Sequence, residues 1–142
     1  MKGMYLNKYV ELKQVCTKFR FAIEKCKNYT FLFKGFPGGC CRDTSILLNE
    51  FLKDKGFEGI EYCSKGNGQW PSHVLLEYKD TIIDLTADQF GRDFASVLIL
   101  PKQKATAYHI VQVRRKCGFY IAGTDVTCLL KDYDVILKEL VD

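Results

Sequence analysis

The stretch HVLLEYKDTIIDLT, residues 73–86, decides how this chain folds. Two apolar runs, 73–78 and 81–86, are separated only by Lys79 and Asp80. That pattern predicts two antiparallel strands joined by a tight turn. With a two-residue turn Tyr78 faces Thr81, Leu75 faces Asp84 and His73 faces Thr86. Because side chains alternate along a strand, His73, Leu75, Ile82, Asp84 and Thr86 then share one face. His73 and Asp84 become diagonal neighbours, about 7–8 Å apart at Cα and closer at their tips. A four-residue loop keeps this parity, and a three-residue loop without a bulge breaks it.

Outward from the hairpin the periodicity changes. Upstream, Leu12, Val15, Cys16, Phe19, Ile23 and Cys26 recur at helical spacing and predict an amphipathic helix from about Tyr5 to Lys27, its apolar stripe facing a core. The segment YTFLFKGFPGG (29–39) is aromatic and extended and ends in turn residues; Pro37 biases Phe36 away from helix. A second helix is predicted from Thr44 to Lys55, closed by Gly56. FEGIEYC (57–63) reads as a strand, and SKGNGQWPS (64–72), with the only tryptophan, Trp70, as a surface loop that can line a cleft. Downstream, SVLILP (96–101), AYHIVQV (107–113) and GFYIA (118–122) read as further strands, and residues from about Thr127 to Leu140 as a final helix. The order predicts one α+β domain over residues 1–142, with helices packed on one side of an antiparallel sheet.

Composition narrows the function. The chain has 142 residues, 47% hydrophobic and 27% charged, in the range of a globular protein. A net charge of +4 is spread among acidic residues, and Arg114-Arg115-Lys116 reads as a solvated strand end, so no nucleic-acid partner is expected. No run of 18 apolar residues exists, so no membrane partner is expected, and the amino terminus lacks the apolar core of a signal peptide. These features favour a cytoplasmic location, with export by a specialised route left open. Seven cysteines, with no CxxC pair and only two histidines, argue against zinc and for reduced thiols; no cofactor is expected, and the oligomeric state is not readable.

The chemistry concentrates at GGCCRDTSILLNEFL (38–52), which places Cys40 and Cys41 between two glycines and a helix. A helix N-terminus favours a thiolate, and its free N–H groups can hold an oxyanion. Consecutive residues at a helix start cannot both face one cleft, and Cys40 reads as the one that packs into the core. His73 is the candidate base and Asp84 the carboxylate that orients it. His109 reads as strand packing. Gln89, in TADQF, can donate to an oxyanion or close a turn, and the turn is the preferred reading. A redox pairing of Cys40 with an oxidised Cys41 is a minor alternative.

Taken together, Gly39-Cys40-Cys41-Arg42-Asp43, His73-Val74-Leu75-Leu76-Glu77 and Asp84-Leu85-Thr86 resemble the G-x-C-x-[DE], H-x-W-x-E and D-x-T elements of the transglutaminase-like superfamily, within the wider papain-like fold. Leu75 stands where that family has tryptophan, and no upstream oxyanion donor is evident, Tyr29 being the only side-chain donor among Tyr29, Phe33 and Phe36. The resemblance implies Cys41 as nucleophile, His73 as general base and acid, Asp84 as orienting carboxylate, and a metal-free covalent acyl-enzyme on an amide or ester carbonyl of a peptide or protein substrate. The products could be those of a peptidase, deamidase or acyl transferase. The alternative is a non-catalytic binding or immunity-type protein that retains the fold.

Overall fold

The computed structural model describes residues 2–65, 73–91, 94–104, 113–116 and 126–140. Among the described residues three α-helices, α1 (Lys2–Cys26), α2 (Cys41–Asp54) and α3 (Val126–Glu139), accompany a five-stranded sheet. The strands are β1 (Glu61–Lys65), β2 (His73–Tyr78), β3 (Thr81–Asp84), β4 (Leu98–Pro101) and β5 (Val113–Lys116). Their order is β4-β3-β2-β1-β5 and every neighbouring pair is antiparallel. This is the α+β class expected. Trp70, His109 and the segment 118–122 lie outside the described residues.

The hairpin register is Tyr78↔Thr81, Glu77↔Ile82 and Leu76↔Ile83. Lys79 and Asp80 form its two-residue turn, both in the left-handed region at φ 45° and 59°, the backbone of a type I′ turn that matches the twist of paired strands. Alternation then divides the hairpin between two environments. Leu76, Tyr78 and Ile83 join the main core with Phe19, Phe51, Leu52 and Ile136 from the three helices. Leu75 and Ile82 pack with Cys63 in a separate cluster. His73 and Asp84 have the parity of this second face, and the site lies where β2 begins, β3 ends and α2 starts.

Several predicted boundaries shift. The helix after the cysteine pair begins at Cys41, three residues before the expected start, because the first turn tolerates polar residues whose N–H groups need no intrahelical acceptor. β1 starts at Glu61: Phe57 is buried as a core plug in an irregular lead-in, edge-on to Tyr78 at 5.4 Å, and Gly59 (φ 77°) interrupts extended geometry. β4 starts at Leu98, two residues after the predicted point, because the chain before it is held by a side chain from α1.

That side chain is Arg20, only 8% exposed. Its Nη1 donates to Leu85 O at 2.6 Å and Ser96 O at 3.3 Å, while Nη1 and Nη2 grip the two oxygens of Asp88, each at 2.8 Å. Nη2 also reaches Glu24 at 2.7 Å, and the guanidinium lies 4.6 Å from the centre of the Phe36 ring. A bidentate planar fork over an aromatic ring is a task for arginine specifically. A second buried charge, Asp132 of α3, accepts the N–H groups of Phe31 and Leu32, both at 2.8 Å, and so fixes the approach to the cysteine pair.

Removing a buried partner strands the other charge. Arg20→Met is therefore expected to lower unfolding stability by about 3 kcal/mol in urea titration, whereas Lys53→Ala, at an exposed lysine 3.7 Å from Glu50, changes it by less than about 0.5 kcal/mol.

Candidate functional site

The entry to α2 is built from its backbone outward. Gly39 sits at φ 71°, a conformation that side chains resist, and turns the chain into the helix. Cys40 is the N-cap, Thr44 N–H donates to Cys40 O at 2.9 Å as the first intrahelical bond, and the N–H of Cys41 is left without an intrahelical acceptor. Asp43 places a carboxylate in the first turn, where the helix dipole favours it.

The two cysteines part company here. Cys40 is buried at 3% exposure, with Sγ 3.4 Å from both Leu32 O and Gly38 O. Burial, followed by the charges of Asp43 and Cys41, pushes its thiol up to about 11. It is a packing residue, as expected. Cys41 is half-buried and stands near enough to the His73 imidazole to raise its proton affinity.

Opposite stands the pair from the hairpin. His73 Nε2 and Asp84 Oδ2 are 2.5 Å apart, both side chains buried, so the diagonal contact expected from parity is made. The second oxygen of Asp84 is occupied too: Oδ1 accepts Thr86 N–H at 2.9 Å and lies 3.4 Å from Thr86 Oγ1. The Asp-x-Thr turn thus locks the carboxylate in the orientation that meets the imidazole. With Nε2 committed to Asp84, Nδ1 is the ring nitrogen left for the thiol. Burial pulls His73 downward, but its hydrogen bond to the Asp84 carboxylate and the nearby Cys41 sulfur outweigh it, and the imidazole is lifted to about 9.

Gln89 contributes through both its backbone and its side chain. Its backbone N–H donates to Thr86 O at 3.1 Å and closes the 3-10 turn Ala87–Phe90, as preferred from the sequence. Its side chain is also in the site, which the turn reading alone does not provide: Oε1 accepts Gly39 N–H at 3.3 Å and Nε2 is 3.4 Å from His73 Nδ1. Phe90 lies edge-on to the His73 ring at 4.9 Å while remaining 57% exposed, so it forms part of the rim. Tyr29, 80% exposed, makes no contribution to the described site. Glu77, on the His73 strand, is tied to Lys102 at 3.2 Å. Among the described residues no three His, Cys, Asp or Glu side chains converge as metal ligands.

The sequence reading did not find Arg20 or Asp88, which hold the segment between Asp84 and Gln89. The one available signal was an arginine at a position flanked by Phe19 and Phe21, inside the apolar stripe of α1. Comparison with models of known families, with curated proteins and with solved structures found no match.

A raised imidazole has a signed consequence. Its contribution to stability is full below about 6.5 and is lost as pH rises through about 9. In Asp84→Asn the burial remains and the carboxylate does not, so the His73 resonance followed by NMR is expected to titrate well below 9, and the stability loss between pH 6.5 and 9 is expected to flatten.

Proposed function

We propose that this chain is a cysteine-nucleophile enzyme of transglutaminase-like, papain-like architecture that acts on an amide or ester carbonyl. The observation that carries the reading is His73, whose Nε2 is held by Asp84 while Cys41, the first residue of α2, stands near enough to the ring to raise its proton affinity. An imidazolium beside a sulfur at a helix start favours the thiolate, the form that attacks.

The chemistry follows from these groups. Cys41 Sγ bonds to the acyl carbon, and the carbonyl electron pair moves onto oxygen, where the free N–H of Cys41 can meet it. His73 gives its proton to the leaving amine or alcohol as the C–N or C–O bond breaks. The neutral imidazole next takes a proton from water or an incoming amine, which attacks the thioester and releases Cys41 as thiolate. Asp84 holds the ring through both steps and stabilises its charged form. Water as acceptor gives a peptidase or deamidase, and an amine gives a transferase. A half-exposed nucleophile beside the exposed Phe90 suits a peptide or protein substrate that approaches from the surface.

The thiols provide the test. At pH 6 and low iodoacetamide, Cys41 is expected to be alkylated selectively, because Cys40 at about 11 is both buried and protonated. Labelling should drop at least tenfold in His73→Ala, with far-UV circular dichroism unchanged. Equal, slow labelling of every accessible thiol would exclude the reading. Once a substrate is found, Cys41→Ala and His73→Ala should each abolish turnover and the double variant should be no worse than either, since the residues act as a unit.

A further inference from the structure

Two groups address one nitrogen in this site. His73 Nε2 is taken by Asp84, so Nδ1 alone is available both to Cys41 and to the Gln89 carboxamide. The carboxamide's orientation is set by its other end: Oε1 accepts the N–H of Gly39, and this turns Nε2, which can only donate, toward Nδ1. A nitrogen that accepts from Gln89 carries no proton. The arrangement therefore belongs to a neutral imidazole whose single proton lies on Nε2 against Asp84.

The charged imidazole is incompatible with that arrangement. With a proton on Nδ1, two N–H donors would face each other at 3.4 Å, and the carboxamide has to turn away. Turning away also frees the Gly39 N–H, which points into the same site from the loop that leads to Cys41. Gln89 is well placed to do this: Arg20 fixes the neighbouring Asp88 through both carboxylate oxygens, so the backbone of the turn stays put while the side chain moves.

We propose that Gln89 is a positioning residue that stabilises the neutral form of His73, the form left once the ring has given up its proton, and that it yields Nδ1 whenever the ring is charged. The inference rests on the reading of Cys41, His73 and Asp84 as an acid–base unit. Among the described residues the groups facing His73 are Asp84 from β3, Cys41 from α2, and the uncharged Gln89 and Phe90 from the turn after β3; the backbone of Lys65 on β1 pairs with it in register.

The test follows the His73 ring itself by NMR in the full chain labelled with [13Cε1]histidine, assigned with His73→Gln. Gln89→Met removes the donor to the neutral form, and His73 is expected to bind its proton roughly three- to tenfold more tightly. Gln89→Glu presents an acceptor in its place and is expected to shift the titration further in the same direction, so the order is wild type, then Met, then Glu. A titration in Gln89→Met that stays in place or moves down overturns the assignment. Should that variant fail to fold, a Gln89→Glu titration no higher than wild type does the same. Asp84→Asn separates the two levels: if it leaves the His73 titration unmoved, the acid–base unit itself fails. If it lowers the titration while the Gln89 variants leave it unmoved, only the role of Gln89 falls.

Discussion

One guanidinium sets the geometry on which the site depends. Arg20 projects from α1 into a place where Leu85, Asp88 and Ser96 converge, and its flat face covers Phe36. Leu85 follows Asp84 directly, Asp88 precedes Gln89, and Phe36 lies just ahead of Gly38 and the cysteine pair. Three segments that each carry part of the site are thus referred to one rigid, permanently charged group. A lysine in that position has neither the fork nor the stacking plane to hold them together.

The hairpin could be read from sequence because its information is local. Strand parity and turn length suffice to place His73 beside Asp84, and the strand 73–78 has the predicted bounds because β-branched and apolar residues fill it between a loop and a turn. The helices were legible by period. Boundaries at Cys41, Glu61 and Leu98 were not, because each is set by contacts between remote segments: the chain turn at Gly39, the burial of Phe57 and the grip of Arg20 on Ser96. The second role of Gln89 was hidden for the same reason. A glutamine that closes a turn with its backbone leaves its side chain free to reach another segment, and only folding reveals which one.

Adjacent cysteines illustrate how one residue of helical rotation separates a buried thiol from a half-exposed one. Cys40 and Cys41 have the same chemistry and nearly the same place in the fold. Yet the N-cap thiol is enclosed by Leu32 and Gly38, and the next one is left beside an imidazole. Their different environments come from the glycine turn ahead of them, which decides the rotation at which the helix starts.

The buried Asp132 adds an order of assembly. It belongs to α3, the last of the described helices, and it holds the N–H groups of Phe31 and Leu32, whose segment in turn encloses Cys40. During synthesis the hairpin, α1 and α2 are all complete well before α3 leaves the ribosome. The loop that leads to Cys41 is fastened only when that helix docks, so a nascent chain carries its thiol and its imidazole but not yet the frame that aligns them.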